Sequence, residues 1–185
     1  SEEGYMNMKT KEITMIGLMA ALTCIAGPLS LPLPFSPVPI SLTNLAVYFA
    51  VYLLGMKRGT ISYCVYLLLG LVGMPVFSAF TSGPAKILGP TGGYLIGFVF
   101  MAVICGWFVD RWNGKPVPSF IGMVAGTAVC YAFGTAWLAF QAKMSFGAAL
   151  AAGVLPFLLG DAVKIILSIA VGMPVRVRVR KAAFN

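Results

Sequence analysis

Six long apolar runs occupy most of this 185-residue chain, and short breaks rich in proline, glycine or charged residues separate them. Only 10% of the residues are charged, whereas an ordinary soluble domain carries about a quarter. A water-soluble chain so poor in charge has too few polar side chains to cover its surface. The pattern predicts an all-α, polytopic membrane protein, because a helix satisfies its backbone hydrogen bonds within one segment.

The six predicted transmembrane helices form a single membrane domain, residues 1–185, with no linker between separate domains. Their approximate bounds are 11–27, 42–56, 59–74, 93–110, 117–139 and 148–173. The second and third runs are short for a bilayer core that needs about 20 helical residues. Residues 1–8 are expected to be a flexible N-terminus or an appended remnant, and no cleavable signal peptide is predicted.

Cationic residues gather on one side of the predicted bundle. An even number of spans places both termini on that side, which holds Lys9, Lys11, Lys57, Arg58, Arg111, Lys115, Arg176, Arg178, Arg180 and Lys181. The opposite side has only Lys86 and Lys143. Because cations collect on the cytoplasmic side of a membrane, both termini are predicted to be cytoplasmic.

The net charge of +8 does not indicate a nucleic-acid partner, because no basic face with interleaved aromatic residues is present. The bilayer is the expected partner of these cations. Residues 176–181, RVRVRK, are predicted to contact anionic lipid headgroups, and the alternative is that they hold a partner protein.

An acid and a base lie within the last apolar run, at Asp161 and Lys164. Their spacing puts both on one helix face, and Lys164 lies about 18 Å from Arg176 along a helix, toward the outer half of the membrane. One charge at the bilayer centre costs about 2.5–3.5 kcal/mol, so both are predicted to face the bundle interior and bind a polar ligand. The alternative is an ion pair that only fixes the orientation of the helix.

The stretch GPLSLPLPFSPVPIS, residues 27–41, cannot be helical, because proline fixes φ and lacks a backbone donor. It is uncharged and apolar, so it is predicted to fold back onto the outer end as a lid, with a stiff connector as the alternative. Phe35 is its candidate ligand contact. Asn44, at the start of the second run, can both donate and accept hydrogen bonds to a ligand.

The stretch GPAKILGPTGGYLIG, residues 83–97, contributes four more candidates for ligand binding. Gly89 and Gly92 allow tight turns and close approach of the backbone to a ligand. Thr91 stands at a cap position of the fourth helix, whose start offers free N–H groups, and Tyr94 is a candidate wall of the site. A turn without any ligand role is the alternative.

Small residues recur at four-residue steps, which lets helices approach closely in lipid. In the fifth run the stripe from Gly122 to Gly134 is predicted to pack within the chain. In the first run, Gly17 and Ala21 are predicted to face outward and accept another membrane protein, with packing within the chain as the alternative.

Catalytic chemistry finds little support in the sequence. The chain has no histidine, and its four cysteines lie in apolar runs without metal-ligand spacing, so they are expected to be packing residues. A Ser-His or Cys-His nucleophile is impossible, and one intramembrane carboxylate makes no acid–base pair. We therefore predict no catalytic residue, metal or cofactor, and any ATP-driven step would require another subunit.

Four stretches together resemble the BioY family, the biotin-specific S components of energy-coupling factor (ECF) transporters. They are PVPISLTNLAVYFAVYLLGMKRG (37–59), LGLVGMPVF (69–77), GPAKILGPTGGYLIGF (83–98) and LPFLLGDAVKIILS (155–168). The family often has Gln at the position of Asn44. The resemblance implies a six-helix S-component bundle with an outward-facing vitamin site and cytoplasmic termini.

The resemblance also implies biotin as the ligand, and a membrane coupling subunit and two ATPases as partners. The ureido ring of biotin has N–H and C=O edges that suit Asp161 and Lys164, and the alternative is that the carboxylate tail lies near Lys164. In S components, small residues of the first helix meet the coupling subunit, and here these would be Gly17 and Ala21. From the residues alone, the alternative is a self-sufficient secondary transporter in which Asp161 carries the coupled proton.

Overall fold

Helices make up most of the structure, which is a computed structural model. It describes residues 2–184, and it describes side chains for residues 9–184. In chain order the helices and strands are α1 (Glu2–Ala26), β1 (Ser30–Leu33), β2 (Ser36–Ser41), α2 (Thr43–Leu71), α3 (Pro84–Ile87), α4 (Gly92–Arg111), α5 (Pro116–Gln141), α6 (Phe146–Gly153) and α7 (Leu158–Ala183). Short 3₁₀ turns lie at Ser78–Phe80 and Leu155–Phe157. The prediction that residues 1–8 are flexible or appended stays untested, because Ser1 and the side chains of residues 2–8 lie outside the described part.

Gly55 divides α2 into two pieces that pack against each other. Its φ of 85° and ψ of −177° belong to a region that is open essentially only to glycine. A Cβ built on Gly59 would lie 2.6 Å from the Cα of Val51, whereas eight residues of straight helix span about 12 Å. The chain therefore reverses at Gly55, and the predicted runs 42–56 and 59–74 correspond to the two halves of α2.

Charged side chains from two other helices satisfy backbone groups that this reversal exposes. The Asp110 carboxylate accepts a 2.8 Å hydrogen bond from the backbone N–H of Met56, at the start of the second half of α2. The Arg176 guanidinium donates to the carbonyl of Tyr52, at the end of the first half. Each charge matches the helix dipole it meets, so α4 and α7 are tied to the reversal of α2.

The last predicted run, 148–173, is not one helix as expected. The structure separates it into α6 and α7, and α7 then continues through Pro174 to Ala183. The predicted lipid-facing segment 176–181 is part of α7. Its first residue, Arg176, is only 5% exposed because it caps α2, so the prediction of a headgroup contact is wrong for that side chain.

By length and composition, three segments of the described chain are long and apolar enough to cross a membrane: α4, α5, and α6 together with α7. The start of α1 carries charges, and Gly55 leaves α2 in two shorter pieces. Together with α1 and both halves of α2, these segments form the six-helix membrane bundle that the sequence predicts.

Helices α4 and α5 pack closely through the predicted small-residue stripe of α5. A Cβ built on Gly126 would lie 2.7 Å from the Cys105 sulfur, and one on Gly134 would lie 2.3 Å from the Tyr94 ring. The prediction that this stripe packs within the chain is confirmed. The two cysteines of this interface, Cys105 and Cys130, are buried free thiols, as expected of packing residues.

The proline-rich stretch forms an antiparallel hairpin of β1 and β2, which adds a small sheet to a fold expected to be all-α. The Ser36 hydroxyl donates a 2.6 Å hydrogen bond to the carbonyl of Ala152 in α6, and Val38 is buried. The hairpin therefore folds back onto one end of the bundle, which we call the outer end.

The opposite end, which we call the inner end, holds the N-terminal part of α1 and the end of α7. Arg58, next to the reversal of α2, forms a 2.5 Å salt bridge with Glu12 of α1. The Arg58 guanidinium also lies 4.1 Å from the centroid of the Phe184 ring at the end of the chain. These contacts place the N-terminal part of α1 and the C-terminus on the same side, as an even number of spans requires.

Candidate functional site

A pocket opens beneath the β-hairpin at the outer end, between α2, α4, α5 and α7. Its empty space is about 700 Å³, counting the open mouth. Aromatic side chains supply much of its wall, namely Tyr48, Tyr66, Tyr94, Phe98, Tyr131 and Phe157. The pocket therefore suits a ligand with a mainly apolar body, and its polar groups are concentrated at a few positions.

Asp161, Lys164 and Asn44 form a hydrogen-bonded cluster in the pocket wall. The Asn44 amide donates to Asp161 Oδ1 at 2.7 Å, and its oxygen accepts from Lys164 Nζ at 3.0 Å. Lys164 Nζ also lies 3.3 Å from Asp161 Oδ1. Both charged residues are at most 9% exposed, so neither side chain faces lipid. As predicted, the acid and the base face the bundle interior, where they also form an ion pair with each other.

Two further groups form hydrogen bonds with this pair. The Tyr131 hydroxyl donates to Asp161 Oδ2, and Lys164 Nζ donates to the carbonyl of Ser41 at 2.6 Å. The cluster is thus neutral overall, with every oxygen of the carboxylate engaged. It presents both donors and acceptors to the pocket from fixed positions, as recognition of a neutral group with N–H and C=O edges requires.

Local structure brings these side chains together at the outer end. Asp161 and Lys164 lie in the first turns of α7, directly after a 3₁₀ turn, and Asn44 lies in the first turn of α2, directly after β2. The Ser41 hydroxyl accepts a 3.0 Å hydrogen bond from the N–H of Thr43, which holds the strand-to-helix junction. Because Lys164 binds the carbonyl of the same Ser41, the hairpin is attached to the charged cluster.

Lys86, in α3, is the other cation that lines the pocket. It is half-buried, and its ammonium group forms no hydrogen bond or ion pair within the described part of the chain. Burial lowers the pKa of the Lys86 ammonium from its ordinary value. Since the charge of Lys164 is balanced by Asp161, Lys86 is the cation available to an anionic group of a ligand.

Five of the predicted binding residues line the pocket: Asn44, Thr91, Tyr94, Asp161 and Lys164. Thr91 occupies the predicted N-cap position of α4, although its side chain makes no capping hydrogen bond.

The other three predicted binding residues lie outside the pocket wall. Phe35, in the turn between β1 and β2, is 67% exposed. The carbonyl of Gly89 accepts a 2.8 Å hydrogen bond from Trp137, and a Cβ built on Gly92 would lie 1.6 Å from the carbonyl oxygen of Ile87. Both glycines therefore allow close packing around the start of α4. This packing accounts for glycine at both positions without a contact to a ligand.

Sequence reasoning missed several residues of the pocket, above all Tyr131, Thr127 and Tyr48. The Tyr48 hydroxyl shares a hydrogen bond with Thr127 Oγ1, which joins α2 to α5 inside the pocket. One signal was available: Thr127 and Tyr131 are polar residues four apart in an apolar run, so they share a helix face that avoids lipid.

The predicted partner surface lies on the outside of α1. Gly17 and Ala21 are both exposed, and a Cβ built on Gly17 would meet no atom within 4 Å. No helix of the described chain covers this face. In the same described part, no group of three or more potential metal ligands is found.

Comparisons with known proteins agree with this architecture. The model of the BioY family matches residues 3–181. "Biotin transporter BioY2" of Lactococcus lactis is 35% identical over 167 residues, which cover 90% of this chain and 91% of that protein. "Biotin transporter BioY" of Thermotoga maritima is 32% identical over 163 residues, which cover 88% of this chain and 94% of that protein.

A solved structure is similar over nearly the whole chain. It is the crystal structure of the S-component for biotin from an ECF-type ABC transporter, with a TM-score of 0.86 and 34% sequence identity, covering 92% of this chain and 93% of that one. Family members are transporter components and not enzymes. The chain, a helical membrane protein with the fold of an ECF S component, belongs to the BioY family.

Proposed function

We propose that this chain is the biotin-binding S component of an ECF-type importer in the cell membrane. The observation that carries the proposal is the neutral cluster of Asp161, Lys164, Asn44 and Tyr131, which faces an aromatic-walled pocket at the outer end. An ion pair that only fixed the orientation of helix α7 would not need to face a pocket. Relatives named as biotin transporters support the choice of ligand.

Each part of biotin has a matching region in the pocket. The ureido ring offers N–H donors to the Asp161 carboxylate and a carbonyl to the Lys164 ammonium. The sulfur-containing ring and the aliphatic tail fit the aromatic wall. We assign the carboxylate of the tail to Lys86, because Lys164 already has a counter-charge whereas Lys86 has none among the described residues.

Calorimetric titration of the purified chain with biotin and with lipoate tests the ligand. Lipoate carries a sulfur ring and a similar carboxylate tail but lacks the cyclic urea, so it is a matched control. We expect biotin to bind with one site per chain and lipoate to show no measurable heat, because lipoate has no N–H and C=O edges to match the hydrogen-bonding groups of the cluster. Equal affinity for the two compounds would contradict the proposed orientation of the ligand.

Substitution of Lys86 tests the assignment of the carboxylate. Lys86→Gln is expected to weaken biotin binding by about tenfold or more, since it removes a charge-assisted hydrogen bond. The wild type should lose affinity as pH rises through the lowered pKa of Lys86, because deprotonation removes the charge that attracts the carboxylate. Lys86→Gln should lack this step, and biotin amide, which has no carboxylate, should bind both proteins equally. If biotin affinity of Lys86→Gln showed the same pH dependence as that of the wild type, Lys86 would be excluded as the partner of the tail.

The inner end is proposed to face the cytoplasm, so that the pocket opens outward. Cations at the inner end support this orientation, since they collect on the cytoplasmic side of membranes. We further propose that the exposed face of α1 around Gly17 and Ala21 meets the membrane coupling subunit. Two ATPases bound to that subunit would then supply the energy for delivery of biotin.

Ala21→Trp tests this partner face. The bulky side chain is expected to abolish ATP-dependent biotin uptake in proteoliposomes that contain the whole transporter, while biotin affinity of the isolated variant stays unchanged. Val103→Trp, which alters an exposed position of α4, is the matched control and should retain uptake. Uptake by the chain alone, driven by a pH gradient without the coupling subunit and ATPases, would instead favour the secondary-transporter alternative.

A further inference from the structure

An aromatic and basic surface lies at the inner end of α4 and in the turn to α5. We call it the inner shelf, and it consists of Trp107, Phe108, Arg111, Trp112 and Lys115. The three rings contact one another, with centroids 5.1 Å apart for Trp107 and Phe108, 5.6 Å for Trp107 and Trp112, and 5.2 Å for Phe108 and Trp112. The biotin pocket proposed above lies at the opposite end of the bundle, so the inner shelf has no part in it.

The two indole groups of the inner shelf are exposed and lack protein acceptors. Trp107 is 49% exposed and Trp112 is 36% exposed. Within the described part of the chain, neither indole N–H donates a hydrogen bond, whereas the indole of Trp137 at the outer end donates to the carbonyl of Gly89 at 2.8 Å. Amphipathic rings of this kind concentrate at the headgroup level of a membrane, where their N–H groups meet polar lipid atoms.

Positive charge surrounds these rings without a matching acid. The Arg111 guanidinium lies 5.7 Å from the centroid of the Trp112 ring, and Lys115 is exposed. Neither forms an ion pair within the described residues. Arg180 of α7 joins them, because it donates a 2.9 Å hydrogen bond to Asn113 in the same turn.

The acidic residue next to the inner shelf already has a hydrogen-bond partner at the reversal of α2. Asp110 is the adjacent acid, but its carboxylate accepts the N–H of Met56 at the reversal of α2. The inner shelf therefore has a surplus of cations and free N–H donors, with exposed apolar side chains beside it at Val117 and Ile121 of α5.

We propose that the inner shelf binds an acidic phospholipid. Its phosphate would lie among Arg111, Lys115 and Arg180 and accept hydrogen bonds from the indoles, while an acyl chain would run along the exposed apolar side of α5. A free phosphate ion fits this surface less well, because it would leave the aromatic and aliphatic part of the surface in contact with water. The proposal does not depend on the transported ligand.

Quenching of tryptophan fluorescence by brominated lipids tests the proposal directly. The chain has three tryptophans, so Trp137→Phe leaves only the two of the inner shelf as emitters. We expect brominated phosphatidylglycerol in nanodiscs to quench them with a relative binding constant at least about fivefold above that of brominated phosphatidylcholine. The preference should weaken as the salt concentration rises.

A charge-matched pair of variants separates a site from a general effect of charge. Arg111→Gln with Lys115→Gln should abolish the preference for the acidic lipid. Lys11→Gln with Lys143→Gln removes the same charge from exposed positions outside both the inner shelf and residues 176–181, and it should preserve the preference. Native mass spectrometry of the wild type checks the result in a chain that keeps Trp137. We expect the wild type to retain bound phosphatidylglycerol. Equal quenching by both lipids would overturn the proposal, as would displacement of the lipid preference by millimolar inorganic phosphate at constant ionic strength.

Discussion

Asp161→Asn is expected to lower the affinity of the chain for biotin by at least about a hundredfold. The substitution removes the carboxylate that accepts hydrogen bonds from Asn44 and Tyr131 and that balances the charge of Lys164. An amide at this position would oppose the amide of Asn44 donor to donor, or turn its oxygen away from one of the present donors. The ligand would then meet a cluster with the wrong hydrogen-bonding pattern.

Calorimetric titration with biotin measures this loss of affinity. A double variant distinguishes a direct effect on the site from a loss of binding through unfolding. A lone buried ammonium is strongly destabilising, so Asp161→Asn can reduce binding merely by unfolding the chain. Asp161→Leu with Lys164→Met removes both charges at once, and it should keep or raise thermal stability while failing to bind biotin. Glu12→Gln, which breaks the salt bridge of the inner end, is the control and should bind normally. Retention of biotin by the folded double variant would show that the charged pair has only a structural role.

Gly55→Ala is expected to cause a large loss of stability, although it adds only a single methyl group. At φ 85° and ψ −177° an alanine is strained by about 1–3 kcal/mol. The new Cβ would also lie 2.5 Å from Asp110 Oδ1, so it would push away the carboxylate that caps the second half of α2. Loss of that cap adds about 1–3 kcal/mol, because the N–H of Met56 would be left without its acceptor.

The half-life of the folded protein in detergent at a raised temperature is the suitable measure for Gly55→Ala, since membrane proteins often unfold irreversibly. Gly17→Ala is the matched control, because the same methyl group at Gly17 would meet no atom within 4 Å. We expect the control to be neutral or slightly more stable, as alanine favours a helix by about 1 kcal/mol over glycine. Similar half-lives for both variants would mean that the reversal of α2 tolerates a side chain.

The inward position of Asp161 and Lys164 could be predicted from sequence because its cause is energetic and local. Two charges three residues apart in an apolar run have a common helix face, and lipid excludes that face. The four-residue spacing of small residues predicted an exposed face at Gly17 and Ala21, and the structure has both exposed. The alternation of apolar runs and breaks likewise indicated the number of spans.

Other features of the candidate site depend on how separate helices meet. Gly89 and Gly92 looked equally suited to a ligand or to a tight turn, and their contacts with Trp137 and Ile87 show the tight packing. Tyr131 is thirty residues from Asp161 in the chain, and only the packing of α5 beside α7 brings its hydroxyl to the carboxylate. Its spacing from Thr127 indicates a helix face that avoids lipid, but no local pattern identifies Asp161 as its partner.

Hydrophobicity and charge are properties of single segments, so the primary structure alone specified a six-span membrane protein with a buried acid and base. The partners of that pair, the reversal of α2 at Gly55 and the capping roles of Asp110 and Arg176 became apparent only in the folded bundle. The physical reason is that a hydrogen bond acts over about 3 Å between groups from distant segments, and their approach depends on the packing of all the helices together.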